Sequence, residues 1–448
     1  MLKPELIPFA FMRTMAVYAN KVSDIYKETL LSTDRQTLIS KCPPLRQPFF
    51  TLLLSIIFLL LSDLSFAAIR YVKPVGTGAL NGSSWDDASG DLQAMIDASA
   101  IGDEVWVAAG TYKPDAYPTG CSGCTTNRDY AFSLKDGVQI YGGFAGTETM
   151  RSQRNWISNL TILSGDFDGD DMVTGSGNTL SITGNSENAY HVVIAAFTDN
   201  TPSTLLDGFN ITGGNANALT NITISSQTIQ ASYGGGVYYD GGFNSLINNN
   251  IRGNSSTGLG GGIYTSENIN FLHNNTIALN NSNSGGGFYS IISTDTLTNN
   301  TISGNSANDD GGGLYMNDGT NTMTNNTISE NSANDGGGLY MNDGISIMTN
   351  STVSGNLATI NGGGLYVNNG THTITNSIIW GNGSEIANNV STITATYSNV
   401  QGGYPGTGNK DTDPIFVNAS DIDGPDNIHR TADDGLRLQP KSQAINMG

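Results

Sequence analysis

Residues Ala307–Gly319 read ANDDGGGLYMNDG, and Ala333–Gly344 read ANDGGGLYMNDG. A segment written twice is an active site, a ligand site or the turn of a repeating scaffold, and its wider context decides among them. Triple glycine followed by an apolar residue and tyrosine begins at Gly234, Gly260, Gly285, Gly311, Gly336 and Gly362, at intervals of 26, 25, 26, 25 and 26. A second element keeps the same beat: NNIRGN ends at Asn254, NTIALN at Asn280, NTISGN at Asn305, NTISEN at Asn331, STVSGN at Asn356 and NSIIWGN at Asn382.

Helical repeats need longer units and little glycine, and the comb of a leucine-rich repeat is absent. Each unit instead holds short β-favouring runs separated by Asn, Asp, Gly and Ser. Such a unit suits one coil of a parallel β-helix, an all-β solenoid whose coils pair about 4.8 Å apart around an apolar interior. The period of two along a strand puts Leu314 and Met316 on one face and Tyr315 on the other. Leu inward then places Val237, Ile263, Phe288, Leu339 and Leu365 in the core. It sends Tyr238, Tyr264, Tyr289, Tyr315, Tyr340 and Tyr366 outward as an aromatic stripe, either a ligand surface or rings that stack to cover the strand. Asn254, Asn280, Asn305, Asn331 and Asn356 are expected to stack at a turn, each amide bonding to neighbouring coils.

Less regular strands are expected upstream at Arg70–Val75, Glu104–Ala109, Gly137–Tyr141, Asn159–Leu163, His191–Ala196 and Leu205–Ile211. Asp91–Ala98 reads as a short helix that caps the open N-terminal end, where unpaired strand edges need cover. Thr220–Ser232 reads as an inserted loop. The organisation is therefore a leader over 1–67, irregular coils over 68–232, regular repeats over 233–400 and an acidic end segment over 401–448.

The chain has 448 residues, 56 of them glycine, is 13% charged and carries a net charge of -20. That charge repels nucleic acid, and Arg252 is the only basic residue between Arg154 and Lys410, so no phosphate-tracking groove crosses the middle. In the leader, the apolar run over 49–61 (FFTLLLSIIFLLL) follows Lys41 and Arg46 and precedes Ser65-Phe66-Ala67, the order of an export signal cleaved near Ala67 or Ala68. Thirteen residues are short for a membrane span. The long stretch ahead of the run points to a start further downstream, Met15 for instance. Export leaves Cys121 and Cys124 of GCSGC as the mature pair, expected to close a small loop disulfide.

Together these repeats resemble the right-handed parallel β-helix of the pectin-lyase-like superfamily, above all secreted surface members related to polymorphic outer-membrane proteins, whose repeats carry GG-(apolar) and N-(S/T)-x-I motifs. RYVKPVGTGALNGSSWDDA, GDEVWVAAGTYKP and GVQIYGGFAGTE are similar to the N-terminal coils of such proteins. DPIFVNAS and LRLQPKSQAINMG are similar to the end of a repeat domain that precedes a surface anchor. The resemblance implies a secreted or outer-membrane-displayed protein, monomeric, with no span in the mature chain, and an adhesive, structural or glycan-binding role. Polysaccharide or a cell-surface glycoprotein is the implied partner.

The superfamily also includes polysaccharide lyases and glycoside hydrolases, which makes a carbohydrate-active enzyme the rival reading. A lyase needs a basic residue as base, and Arg252 sits in a turn. A hydrolase needs paired carboxylates; Asp310 with Asp335, and Asp318 with Asp343, occupy equivalent positions one coil apart. Any residue repeated in a β-helix acquires that spacing, and the next coil has Asn361 and Asn369 at these positions, so turn chemistry is the better explanation. Asp166, Asp168 and Asp170, and likewise Asp421, Asp423 and Asp426, form short acidic loops with glycine that suit calcium, although neither completes a full calcium-loop pattern. The histidines match no metal-ligand spacing.

Overall fold

A computed structural model describes residues 67–197, 203–426 and 428–445. The expected export signal lies outside them. Among the described residues, parallel strands form three sheets of 18, 10 and 6 strands. Sequence-equivalent residues of successive repeats pair directly: Val237 with Ile263, Ile263 with Phe288, Phe288 with Leu314, Leu314 with Leu339 and Leu339 with Leu365. All six are fully buried in one continuous apolar core, as a parallel β-helix requires.

One coil can be followed from Leu314. Leu314–Thr324 bends at Asp318 (φ 56°) and belongs to the largest sheet. Thr327–Ser329 lies in the second sheet and buries Ile328, and Ser332–Asp335 lies in the third. The chain then reaches Gly336, whose φ of 63° is the left-handed region that glycine enters without Cβ strain. The next two glycines answer a second demand. A Cβ on Gly337 would stand 2.3 Å from the Leu357 carbonyl oxygen and one on Gly338 2.6 Å from that of Gly364, because neighbouring coils touch backbone to backbone here.

Two corners are held by buried asparagine stacks. Asn254, Asn280, Asn305, Asn331 and Asn356 form the stack read from the sequence, and Asn382 extends it by one coil. Asn305 donates from Nδ2 to Asn331 Oδ1 at 2.9 Å and to the Ile277 carbonyl at 2.9 Å, while its Oδ1 accepts from the Asn280 backbone N–H at 3.0 Å. Asn249, Asn275, Asn300 and Asn326 build a second stack in the same manner, continued by the hydroxyls of Ser351, Ser377 and Ser398. A left-handed residue precedes each stacked side chain, including Leu279 and Glu330 in one stack and Asn299 and Asn325 in the other. Such a conformation costs a side-chain-bearing residue about 1–2 kcal/mol.

The helix Leu92–Ala98 is capped by Asp91, whose Oδ1 accepts from the Ala94 N–H at 2.8 Å. Leu92, Met95 and Ile96 join the core beside Val72 and Val105 of the first coils. The upstream strands lie close to their expected places, except that Leu205–Ile211 is two strands, Thr204–Asp207 and Asn210–Thr212, parted at Gly208 (φ 87°). The expected inserted loop contains an antiparallel hairpin, Ile222–Ile224 with Gln227–Ile229. The acidic end segment folds back along the outside of the second sheet: Arg430 donates to Asn274 Oδ1 at 2.7 Å, and Ile422 and Leu436 lie beside Thr301 and Thr327.

Asn305→Ala leaves the Asn280 N–H buried without a partner and takes from the Ile277 carbonyl the bond it accepts besides its strand ladder. At about 1–3 kcal/mol for the orphaned group, it lowers stability by about 2 kcal/mol, against less than about 0.5 for the exposed control Asn308→Ala, as measured by urea denaturation.

Candidate functional site

The outward tyrosines form the most ordered feature of the surface. From Tyr264 to Tyr366 successive ring centroids lie 5.9, 4.6, 4.6 and 4.9 Å apart, with the Tyr315–Tyr340 planes only 8° from parallel. Outward does not mean exposed, however. Tyr238, Tyr264 and Tyr289 are buried in a second apolar cluster with Ile222, Ile224 and Ile229 of the hairpin. Tyr238 Oη also donates to the Thr228 carbonyl at 3.4 Å and accepts from the Gln230 N–H at 3.3 Å. The Cys121–Cys124 disulfide closes a loop that pairs with the hairpin through Ser122 and Thr223 and packs on the same cluster. The stripe is thereby corrected to its C-terminal part. Tyr238, Tyr264 and Tyr289 are walled off, while Tyr315 and Tyr366 are partly open and Tyr340, between them, is 9% exposed.

Two polar rows flank this open stretch. On one side an amide ladder runs from Asn317 through Asn342 and Asn368 to Asn389, each Nδ2 donating to the Oδ1 of the preceding coil at 2.7 Å. The Tyr289 hydroxyl also bonds Asn317. On the other side Asp310 and Asp335 are bridged backbone to backbone on adjacent coils, and Asn361 Nδ2 donates to Asp335 Oδ1 at 2.9 Å. Burial first, then Asp335 and Asp309, pushes Asp310 up to about 6. Burial first, then Asp310, Tyr366 and Asp335, raises the Tyr340 hydroxyl, which sets the carboxylates beside the rings. Asp318 and Asp343 sit at left-handed positions at the opposite end of the same strands, where Asp343 Oδ1 accepts from Asn369 Nδ2. They occupy the turn positions that the repeat phase indicates, and the two aspartate pairs do not converge on one centre.

The acidic loops diverge. Carboxylate oxygens of Asp166, Asp168, Asp170 and Glu187 lie within 4.8 Å of one another, a group that could hold a metal ion. Asp170 is held above the ordinary carboxylate range by desolvation first and then by Asp168 and Asp166. Desolvation also pushes the adjacent Asp171 up to about 6. Glu187 escaped the sequence reading because it lies far from the aspartates along the chain, at the end of the hairpin formed by Met172–Thr174 and Ser181–Thr183. Asp421, Asp423 and Asp426 form no such group among the described residues. Asp426 accepts from the Ile428 N–H at 2.9 Å, and burial first, then Asp423 and Asp421, raises the pKa of the nearby Glu330.

The sequence also gave no hint of a cleft of about 650 Å³ on the first coils, lined by Ile69, Glu104, Trp106, Met150, Arg151 and Trp156 among others. Its charged groups already engage one another. Arg151 meets Glu104 at 2.6 Å and the Tyr141 hydroxyl at 2.7 Å, while Arg154 pairs with Asp207 at 2.5 Å and lies over the Tyr141 and Trp156 rings. Such saturated pairs brace a wall and leave no free base. Arg252 is exposed. His191 is buried against the Gly234 carbonyl at 3.0 Å, and burial pushes it down to about 4.

No family model matches the chain, and no curated protein does. Among solved structures it is similar to one described as the crystal structure of pectate lyase Pel9A, at 15% identity and a TM-score of 0.45, over 86% of this chain and 92% of that one. A second, described as the complex structure of XylC with xylose, gives 9% identity and a TM-score of 0.36, over 78% and 87% respectively. Neither likeness bears on chemistry. No helix among the described residues is long and apolar enough to cross a membrane.

Because its proton is bound more tightly in the folded state, Asp310 contributes stability that is complete below the unfolded carboxylate range and is lost as pH rises through about 6. Asp310→Asn therefore gains on the wild type progressively between about pH 4 and pH 7, read as the difference in denaturation midpoints across that range.

Proposed function

We propose that the protein is a secreted, surface-displayed β-helix that binds an extended glycan along one lateral face in an adhesive or structural role. The partly open tyrosines support this most directly: Tyr315 and Tyr366, with the nearly covered Tyr340 stacked between them, have an amide ladder on one side and two carboxylates on the other. Aromatic faces accept the C–H faces of sugars, while amides and carboxylates bond their hydroxyls. A surface repeated at every coil suits a ligand that is itself a linear repeat, such as polysaccharide or the glycan of a cell-surface glycoprotein. The hairpin that closes the N-terminal half of the column sets one end of the open face.

Tyr315→Ser with Tyr340→Ser weakens binding to the preferred polysaccharide of a panel at least about tenfold, roughly the loss of 1.4 kcal/mol, with the fold intact by circular dichroism. Unchanged binding removes the face as a site.

The enzyme reading keeps one specific support, the Asp310–Asp335 pair with one proton held to about pH 6, the arrangement a glycosidase acid requires. Under the binding reading no polysaccharide of the panel gains reducing ends or unsaturated products, and Asp310→Asn changes affinity alone. Turnover that Asp310→Asn abolishes would establish the hydrolase instead.

We also assign calcium to the group of Asp166, Asp168, Asp170 and Glu187, where four carboxylates suit a hard, oxygen-seeking cation. Calcium then raises the melting temperature of chelator-treated protein, and Asp168→Asn with Glu187→Gln abolishes the rise.

A further inference from the structure

The interior of the tube is not uniformly apolar. Across the bend of the largest sheet, one inward column reads Asn244, Asn270, Asp295, Asn321, Ser346 and His372, each paired in register with the next. All six are at most 2% exposed. An ionised carboxylate in such a place needs a counter-charge, because isolated buried charge is among the costliest arrangements in a protein. Yet the described salt bridges lie elsewhere, at Arg151–Glu104 and Arg154–Asp207. Asp295 is bonded only by neutral donors, Asn270 Nδ2 at 2.7 Å and Ser290 Oγ at 2.5 Å. Burial pushes it up to about 6 against those two bonds.

The neighbouring groups are unbalanced in the same sense. Side-chain oxygens of Asn244, Asn270, Asn268, Asn321 and Thr265 are buried without a hydrogen-bond partner. The nitrogens in that condition here and along the column are Asn268 Nδ2 and His372 Nδ1. Asn321 directs its amide N–H to Ser346 in the next coil at 3.4 Å, which leaves its Oδ1 without a donor on the coil that follows Asp295. Thr265 pairs in register with Ser290, the hydroxyl donor to Asp295. The Asp295 carboxylate is therefore flanked on the adjacent coils by the unpartnered amide oxygens of Asn270 and Asn321. A cation completes such a set, and one carboxylate among neutral oxygens is balanced by a single positive charge. A divalent ion would leave an uncompensated charge in the core.

We propose that the interior column around Asp295 binds one desolvated monovalent cation of the sodium or potassium class, with ligands drawn from the Asp295 carboxylate and the side-chain oxygens of Asn270, Asn321 and Thr265. The residues are enclosed by stacked coils, so the ion enters as the coils close and stabilises them by its preference for the folded state. This site is independent of the glycan face and of the acidic loop at Asp166.

The test refolds the full mature chain at pH 8 with excess EGTA, which keeps the Asp166 loop free of calcium. Refolding proceeds in sodium, potassium or tetramethylammonium chloride at equal ionic strength, the last ion being too large for the column. The sodium or potassium form melts several degrees above the tetramethylammonium form, and Asp295→Asn, which keeps the shape and removes the charge, erases the difference. Equal melting in all three salts, or a difference that survives Asp295→Asn, overturns the proposal. Elemental analysis of wild-type protein refolded in sodium or potassium and desalted into tetramethylammonium stands even if the variant does not fold. About one alkali ion per chain supports the site, and none, the result for a column filled by water alone, refutes it.

Discussion

Backbone pairing between successive coils fixes a rise of about 4.8 Å, and every other feature of the molecule must tolerate repetition at that distance. Apolar side chains do so readily, and the column from Val237 to Leu365 is the result. Corners are harder, because a chain that turns leaves backbone groups pointing inward with nothing to bond. Asparagine solves this because its side chain carries both a donor and an acceptor, so one residue can bond a carbonyl below, a neighbouring amide and a backbone N–H at once. A serine can substitute because its hydroxyl accepts from the backbone N–H of the preceding coil and donates to a carbonyl of its own, as Ser351 does to Thr349 and Ser377 to Thr375.

Charge tolerates the repetition badly. A carboxylate repeated on adjacent coils meets its own copy, and the protein answers in two ways. At Asp310 and Asp335 burial first, and then the neighbouring carboxylates, raise one member's proton affinity; at the following coil asparagine takes the place, and Asn361 donates to Asp335. The same substitution at Asn369 answers Asp343. Aromatic rings gain from repetition instead, since each provides the surface on which the next lies. An outward tyrosine column is therefore partly self-covering, and the hairpin completes the cover only at one end.

The periodic part of the chain was legible for that reason. Identical residues one coil apart must share an environment, so the GGG-apolar-Tyr and Asn phases revealed the core, the outward rings and one corner stack. The second stack was present in the NNTI doublets, but a pair of adjacent asparagines does not reveal which of them turns inward; the left-handed residue ahead of it decides. What repetition does not constrain was not legible. Glu187 meets Asp166 through a local hairpin, the Ile222–Ile229 hairpin covers the rings, and the tail returns against Thr301. Each is an insertion or an end, where no neighbouring copy reports the environment.

The inward polar column is the case in which periodicity misleads. Alternation along FNSLI, INFLH, TDTLT and TNTMT puts the second and fourth residues inside, and the fourth is apolar as expected, while the second is Asn244, Asn270, Asp295 or Asn321. Read as a strand alone, the second position looks like a surface residue out of phase. It faces inward because the bend just before it turns two strand segments toward each other, and the space they enclose carries Thr265 and Ser290 from the first segment. A solenoid built for an apolar core would place leucine there. Polar residues retained at one phase of several successive coils, with their oxygens short of hydrogen, mark a place where the interior is organised around charge rather than around packing alone.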